Sequence, residues 1–307
     1  MSVTSALYTG VSGLMANAEG INIIGNNLSN VNTVGFKGAR IGFADLLSVT
    51  VGNTVGSNNQ VGRGTQIQKI DNEFGQGSFE TTQNVTDLAI QGDSFFVLGA
   101  VDSVAGTAVA GLAAKYTRAA AFRMTPDSAA PADTYLTNPD GLRVLDEAGM
   151  PIRFLNTGTA AVPVATDFVK ITSIDPQGRI TFLRQDGASA YYTGVAGGAA
   201  TAATALRIGT LNIVGKNYLE KMGGTVFQAT SAQSGVPIVT GAGMYRATYD
   251  GTKATSEKIF SSSLEQSNVD MAAQFVKMIL TQRAYSANSK TITTADEMTQ
   301  ELLGLKR

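Results

Sequence analysis

The segment Gly92-Asp93-Ser94 comes closest to a catalytic motif in this sequence. A serine can act as a nucleophile when a histidine accepts its proton. The chain of 307 residues contains no histidine and no cysteine, so both the usual base and the thiol nucleophile are missing. We therefore interpret Gly92-Asp93-Ser94 as a turn before the strand-like run Phe95-Phe96-Val97-Leu98.

Other residues that could take part in catalysis or ligand binding are equally isolated. Asp146-Glu147 and Asp296-Glu297 are adjacent carboxylates, and neighbouring side chains on a helix or strand point in different directions. We expect both pairs on a solvated surface. Gly62-Arg63-Gly64 and Gly241-Ala242-Gly243 lack the remaining residues of a dinucleotide fingerprint, and no phosphate-binding or calcium loop is present. The sequence predicts no catalytic residue, no cofactor and no metal.

The composition limits the classes of partner. The 24 acidic and 23 basic residues nearly cancel, so no basic field attracts nucleic acid. No lysine or arginine precedes Lys37, and no apolar run is long enough to insert into a membrane. We therefore expect no cleaved signal peptide and no membrane insertion. The missing catalytic residues and the 34 glycines together favour an assembly protein over an enzyme.

The N-terminal region has the periodicity of an amphipathic helix between Ala6 and Val31. Its apolar residues recur every three or four positions, at Leu7, Val11, Leu14, Ala18, Ile21, Ile24 and Leu28. Glu19 is the only charged residue before Lys37. A helix exposed to water normally carries more charge, so we predict that other subunits cover several of its faces. An intramolecular helical hairpin packed on a β domain remains the alternative.

The C-terminal region predicts a longer helix, because Leu264 to Leu303 contains no glycine or proline. Asn268 is the expected N-cap, with Asp270 in the first turn. An apolar stripe follows and shifts by one position after Ile292, and we assign it to subunit assembly. Its apolar members are Met271, Phe275, Met278, Tyr285, Ile292, Met298, Leu302 and Leu305.

The middle of the chain, from Gly62 to about Phe260, reads as short strands separated by turns. Asn138-Pro139-Asp140-Gly141 and Asp175-Pro176-Gln177-Gly178 both have the residue order of a type I turn, which predicts a β-hairpin at each. The stretch Ser48 to Gln60 resembles a linker or exposed loop. Two stretches rich in alanine and glycine predict surface loops, Val104 to Ala114 and Gly194 to Ala205.

These patterns predict an α+β protein with terminal α-helices and a mainly antiparallel β domain between them in sequence. The expected boundaries are an N-terminal helix at 1–34, a linker or extended segment at 35–72, a β-rich domain at 73–260 and a C-terminal helix at 261–307.

Three segments resemble a known family. They are Gly25-Asn26-Asn27-Leu28-Ser29-Asn30 continuing to Thr33-Val34-Gly35-Phe36-Lys37; Asp87-Leu88-Ala89-Ile90-Gln91-Gly92 with Phe95-Phe96; and Ser267-Asn268-Val269-Asp270 with Gln282-Arg283-Ala284-Tyr285 and Asn288-Ser289-Lys290. In this order they resemble the signatures of the bacterial flagellar axial proteins of the rod and hook, with the hook proteins closest.

The resemblance implies that the terminal helices, at 1–34 and 261–307, form an inner coiled-coil layer around a central export channel, while the β domain at 73–260 forms the outer layer. Copies of the chain would polymerise into a helical tube that transmits torque. The implied partners are further copies, the axial proteins of the rod and the hook–filament junction, the hook cap and the type III export apparatus. The implied location is the extracellular hook or the basal body, after export without a cleaved signal peptide.

The residue sequences Asn268-Val269-Asp270 and Thr291-Ile292-Thr293-Thr294 resemble those of hook proteins and favour a hook subunit. The chain is short for a hook protein with a second outer β domain, so a distal rod subunit, the driveshaft of the basal body, is the alternative. A secreted β-rich adhesin or a phage-tail-like tube protein would share the β middle but would not explain the terminal segments. A carboxylate-based polysaccharide enzyme is a more remote possibility.

Overall fold

A computed structural model describes residues 3–54, 57–99, 113–126, 133–154, 164–165, 167–194, 204–230 and 257–305. Gly241-Ala242-Gly243 and most of the two predicted alanine- and glycine-rich loops lie outside these ranges. The chain forms two units. Unit 1 comprises residues 1–31, 38–73 and 269–307, and unit 2 comprises residues 32–37 and 74–268.

Unit 1 contains both long helices, α1 (Val3–Ser29) and α2 (Met271–Leu305). The predicted N-cap Asn268 is wrong: Asp270 caps α2, because its Oδ1 accepts hydrogen bonds from Ala272 N at 2.9 Å and Ala273 N at 3.3 Å. The helix starts later than the glycine-free stretch suggested. Within the described ranges, no helix is both long and apolar enough to cross a membrane.

Unit 1 also contains four strands, β1 (Ala39–Asp45), β2 (Val49–Thr54), β3 (Ser57–Val61) and β4 (Thr65–Asn72). β1 pairs antiparallel with β4, and β2 pairs antiparallel with β3. Two paired strands thus occupy most of the stretch that the sequence suggested as a linker or loop. The β1–β4 pair is joined to α1 by a hydrogen bond in which Thr65 N donates to Ser12 Oγ at 3.3 Å.

Unit 2 is built from short strands whose pairings are all antiparallel among the described residues. Their bounds are β5 (Phe79–Thr81), β6 (Asp87–Gln91), β7 (Phe95–Gly99), β8 (Lys115–Thr117), β9 (Ala120–Ala121), β10 (Arg123–Pro126), β11 (Thr134–Thr137), β12 (Arg143–Val144), β13 (Arg153–Phe154), β14 (Phe168–Ile174), β15 (Ile180–Arg184), β16 (Ser189–Tyr191), β17 (Thr210–Leu211), β18 (Leu219–Gly223), β19 (Val226–Ala229), β20 (Lys258–Ser261) and β21 (Ser263–Glu265).

The largest sheet of unit 2 has the order β10-β11-β12-β7-β8-β19-β18, with β13 beside β11 and β17 beside β7. The smaller sheets are β14-β15-β16, β20-β6-β9 and β21-β5. Terminal helices with an antiparallel β region between them confirm the predicted α+β class.

Both predicted turns join paired strands. Gly141 N donates to Asn138 O at 3.0 Å between β11 and β12, and Gly178 N donates to Asp175 O at 2.8 Å between β14 and β15. The two glycines have φ of +84° and +81°, which explains why glycine occupies these positions.

The two units differ in how much apolar surface they bury. Unit 2 has two clusters of buried side chains, one containing Leu88 and Phe96 and the other containing Phe95 and Phe227. In the described part of unit 1, the buried apolar residues are only Ala16, Ile24 and Ala295. Unit 2 therefore has a hydrophobic core of its own, whereas unit 1 has very little.

Candidate functional site

The two helices of unit 1 meet along a seam of small and polar residues. A Cβ added at Gly10 would lie 2.7 Å from Ile292 Cγ1, one at Gly13 would collide with the Asn288 side chain, and one at Gly20 would lie 3.3 Å from Thr281 Cγ2. The positions on α2 decrease as those on α1 increase, so the helices run antiparallel. The buried positions of α1 between residues 10 and 27 are Gly10, Gly13, Ala16, Gly20, Ile24 and Asn27.

The α2 side of the seam repeats every seven residues, at Gln274, Thr281, Asn288 and Ala295. Gln274 and Ala295 are buried, and Thr281 and Asn288 are half-buried. A seven-residue repeat keeps one side of a helix against its partner. The intramolecular contact therefore uses the small and polar sides of both helices, which the sequence reasoning did not single out.

The predicted apolar stripe of α1 lies mostly outside this seam. Ile24 is buried, and Val11 is 41% exposed. The remaining members are half-buried: Leu7, Leu14, Ile21 and Leu28. Their assignment to contacts between subunits stays a prediction, and their partial exposure leaves apolar surface available for such contacts.

The predicted stripe of α2 is more exposed. Met278 and Ile292 are half-buried, and Ile292 contributes to the seam beside Gly10. The exposed members are Met271 at 45%, Phe275 at 46%, Tyr285 at 41%, Met298 at 57%, Leu302 at 58% and Leu305 at 84%. These exposed apolar side chains leave surface available for contacts with other subunits, and their assignment to subunit assembly stays a prediction.

The signature residues Asn26 and Asn27 have different environments. Asn26 is exposed, and its carbonyl oxygen accepts from Asn30 Nδ2 at 2.9 Å. Asn27 is buried and makes two hydrogen bonds with the backbone of Ala39, from Nδ2 to the oxygen at 2.7 Å and from the nitrogen to Oδ1 at 2.9 Å. Asn27 Nδ2 also lies 3.5 Å from Gln274 Oε1. This side chain thus ties the end of α1 to β1 and to the start of α2.

The signature residue Lys37 belongs to a buried ionic cluster in unit 2. Its Nζ donates to Glu265 Oε1 at 2.7 Å and to Gly75 O at 2.7 Å. The other oxygen of Glu265 accepts from Arg118 Nη1 at 3.1 Å. Gly77 N donates to Glu265 Oε1 at 2.9 Å. One carboxylate therefore satisfies two cations, and all three side chains are at most 1% exposed.

The electrostatics of this cluster follow from burial. Loss of hydration lowers the pKa of Lys37, and the adjacent Glu265 carboxylate opposes that shift. Arg118 Nη2 also donates to Gly92 O at 2.6 Å, and its guanidinium lies 5.1 Å from the Phe95 ring centre. Sequence reasoning missed Glu265 and Arg118. The position of Glu265 shortly before the Ser267-Asn268-Val269-Asp270 signature was the only available signal.

The residues flanking Lys37 are held by the same unit. Gly35 has a φ of +67°, and its nitrogen donates to Glu265 O at 2.7 Å. A Cβ at Gly35 would collide with the Ala119 backbone, so both conformation and space require glycine. Phe36 is buried, with Lys221 Nζ 4.8 Å from its ring centre.

The remaining signature residues divide between the two units. In unit 2, Asp87 is buried, Gly92 has a φ of +137°, and Phe95 and Phe96 are fully buried in different clusters. Asn268 donates from Nδ2 to Gly75 O at 3.1 Å. In unit 1, Val269 is half-buried and Gln282, Arg283 and Tyr285 lie exposed on α2. Most signature residues in unit 2 therefore support its fold, whereas those on α2 face outward.

The expectation that Asp146-Glu147 lies on a solvated surface is wrong. Asp146 is 0% exposed and Glu147 is 5% exposed. Asp146 Oδ1 accepts from Ala148 N and Met150 N, both at 2.9 Å, while Oδ2 has no hydrogen-bond partner. Burial raises the pKa of Asp146 to about 6. Asp296 and Glu297 are exposed, as expected.

The serine of Gly92-Asp93-Ser94 has a structural role. Ser94 is fully buried, its hydroxyl donates to Glu257 Oε2, and Asp93 N donates to Glu257 Oε1 at 3.1 Å. β7 starts directly afterwards, as the sequence predicted. In the part of the chain that the structure describes, no group of three or more acidic, histidine or cysteine residues could hold a metal ion.

Comparisons with known proteins agree with this arrangement. Residues 7–37 match the family described as "Flagella basal body rod protein", and residues 261–305 match "Flagellar basal body rod FlgEFG protein C-terminal". The flagellar basal-body rod protein FlgG of Bacillus subtilis is 33% identical over 98% of this chain and 99% of its own length. FlgG of Borreliella burgdorferi is 30% identical over 98% of each chain.

A hook protein is also similar, over a shorter region. The flagellar hook protein FlgE of Borreliella burgdorferi is 36% identical over 148 residues, which cover 45% of this chain and 30% of its own length. The matched families and relatives are structural components of the flagellum, which defines the chain as a structural protein and not an enzyme. The chain belongs to the flagellar rod and hook family and is a structural component of the flagellar axis.

Proposed function

We propose that this chain is a subunit of the flagellar rod, in its distal part, and that copies of it polymerise into a tube that transmits torque. The observation that carries the proposal is the share of this chain that each kind of relative matches. Rod proteins match 98% of the chain, whereas the hook relative matches 45% of it. The residue sequences near the C-terminus favoured a hook subunit. The coverage instead favours the alternative, a distal rod subunit.

The structure supports an assembling subunit through unit 1. The seam between α1 and α2 covers the small and polar sides of both helices. Phe275, Met298 and Leu302 remain between 46% and 58% exposed. Burying a large apolar side chain stabilises a contact by about 1.5–3 kcal/mol. Further copies of the chain can cover these residues, and a repeated contact that does not close produces an open helical polymer.

A hook subunit remains the second candidate, because the hook relative has the higher identity in the region that it matches. In either role, the proposed partners are neighbouring axial proteins, an assembly cap and the flagellar export apparatus. The proposed route to the distal end of the growing axis is type III export.

Electron microscopy distinguishes the two candidates. We would delete the gene in its host and examine isolated basal bodies, and we would image tubes assembled from the purified protein. A rod subunit predicts straight tubes and basal bodies that lack the distal rod together with the hook. Curved tubes, and a deletion strain with a complete rod but no hook, would contradict the rod proposal and support the hook. Dispersed monomers at high concentration would contradict both.

A further inference from the structure

The last two strands of unit 2 complete sheets that begin at its other end. β20 pairs with β6 and β21 pairs with β5, so the final strands of the unit lie beside its first two. Ile259 of β20 is 1% exposed and belongs to the same buried cluster as Leu88 and Phe96. We call residues 257–265, the stretch that contains both strands, the closing segment.

The closing segment carries two carboxylates that accept hydrogen bonds from much earlier residues. Glu257 Oε1 accepts from Asp93 N at 3.1 Å, and its Oε2 accepts from Ser94 Oγ. Glu265 Oε1 accepts from Gly77 N at 2.9 Å. The contact of Glu257 with Asp93 spans 164 positions and that of Glu265 with Gly77 spans 188. Contacts of such sequence separation form only after a long loop has closed.

Glu265 also supplies the negative charge for two buried cations. Among the described residues, Lys37 and Arg118 form ion pairs only with this carboxylate. Both cations are at most 1% exposed, and burying a charge without a partner is unfavourable. If unit 2 closed without Glu265, it would therefore bury two uncompensated positive charges.

We propose that the closing segment docks last when unit 2 folds, and that unit 2 is not stably folded until the Glu265 carboxylate contacts Lys37 and Arg118. Hairpins such as β14–β15 close short loops and form earlier. Both cations precede the anion in the chain, so a chain made from its N-terminus cannot complete unit 2 before residue 265 is present. The inference goes beyond the proposed function, because it concerns the order of folding and holds for a rod or a hook subunit alike.

Hydrogen exchange during refolding tests the order of docking. We would unfold the full-length protein in urea, dilute it, label the exposed amides at successive times and measure peptide masses after digestion. The amides of β7 and β8 should become protected first. The peptide that contains Gly77 and the peptides of the closing segment should become protected at least about tenfold more slowly, because their contacts require the long loop to close. Simultaneous protection of all these peptides would overturn the inference.

Glu265→Gln separates the last step from the earlier ones. A contact that forms after the transition state affects the unfolding rate and not the folding rate. The variant should unfold at least about a hundredfold faster than wild type, because removing one partner of a buried ion pair is strongly destabilising. The amides of β7 and β8 should still gain protection within about threefold of the wild-type rate. A variant whose folding slows in proportion to its lost stability would contradict late docking.

Glu80→Gln is the matched control. Glu80 accepts a hydrogen bond from Gln266 Nε2, directly after the closing segment, but its side chain is exposed. Its substitution should change neither rate by more than about twofold, as for other surface positions. A Glu80→Gln variant that unfolds as fast as Glu265→Gln would show that the buried ion pairs are not the cause.

Neutralising the cations as well tests the charge argument. Lys37→Met/Arg118→Met/Glu265→Met removes all three charges and retains apolar volume, an exchange that is often neutral or stabilising for buried ionic groups. This triple variant should unfold within about tenfold of the wild-type rate. A triple variant that unfolds as fast as Glu265→Gln would overturn the role of the charges. The order of protection in wild type needs no substitution, so it decides the inference even where the triple variant does not fold.

Discussion

Lys37 Nζ and Glu265 Oε1 lie 2.7 Å apart with both side chains fully buried, although 228 positions separate the two residues in sequence. Glu265 also pairs with buried Arg118, so the cluster holds two cations and one anion. The single carboxylate is therefore the residue on which the two cations both depend.

Replacing Glu265 with glutamine should destabilise unit 2 strongly. The amide cannot balance either cation, and removing one partner of a buried ion pair costs about 3–5 kcal/mol. Urea unfolding of the variant and wild type measures the difference. Asp93→Asn is the control, because Asp93 pairs with Lys216 at 3.0 Å but is 68% exposed, and exposed pairs contribute about 1 kcal/mol or less. Equal effects of the two substitutions would contradict the role of the cluster.

Asp146 should make the stability of unit 2 depend on pH. Its pKa is about 6 in the folded protein, above the ordinary aspartate value of 3.8, so the folded state retains the proton between these values. The contribution of Asp146 to stability is present below about pH 4, falls as the pH rises to about 6 and is absent above. The change is at most about 3 kcal/mol.

Asp146→Asn should remove this dependence. The measurement is the free energy of unfolding from pH 3.5 to 8, taken as the difference between wild type and variant. Asp186→Asn is a matched control, because Asp186 Oδ1 accepts from Ala188 N at 2.8 Å in the same local geometry but the side chain is exposed. A flat difference for Asp146→Asn would show that the carboxyl titrates normally.

Gly13 should be required for the seam, whereas Gly25 should not. A Cβ at Gly13 would collide with Asn288, but one at Gly25 would meet nothing within 4 Å. Gly13→Leu should therefore separate α1 from α2 and reduce polymer yield by at least about tenfold. Gly25→Leu should be tolerated better, since both substitutions relieve the similar cost of a helical glycine. Sedimentation of the polymer and circular dichroism measure the two effects. Equal polymer yields would argue against the seam.

The dilute monomer should show different protease sensitivity in its two units. Unit 2 has its own core, while the described part of unit 1 buries only Ala16, Ile24 and Ala295 as apolar residues. Limited proteolysis should remove both ends and leave a fragment from about Asn32 to Asn268, which retains Lys37 of the buried cluster. Mass spectrometry identifies its ends. Protection of residues 5–30 in a verified monomer would show that unit 1 is stable without partners.

Leu302→Asp should block assembly and leave the monomer intact. Leu302 is 58% exposed, so the monomer loses little, whereas a polymer contact would lose about 2–3 kcal/mol of apolar burial per subunit. The thermal transition of the monomer and the polymer yield separate the two effects. Leu302→Met, which retains the apolar volume, should assemble normally. A monomer of Leu302→Asp that melts many degrees lower would place Leu302 in an intramolecular core instead.

Local sequence patterns were sufficient to predict the first helix and two of the turns of this protein. The three- and four-residue spacing of Leu7 to Leu28 predicted α1 because helix periodicity depends on neighbours in sequence. The turns at Asn138 and Asp175 predicted two hairpins, since the residue types set the backbone conformation. The signature segments established the family for the same reason, because they are contiguous stretches of sequence.

Contacts between distant residues required the folded chain. The sequence analysis assigned the apolar stripes to contacts between subunits and did not indicate the seam between α1 and α2. Gly13 and Asn288 meet in that seam because close approach depends on side-chain volume at paired positions. Asp146 appeared to be a surface residue, and its burial follows from the strands packed around it. Lys37 was recognisable from its signature, but Glu265 and Arg118 became its partners only when antiparallel pairing brought three separate segments together, and burial then made their charges interdependent.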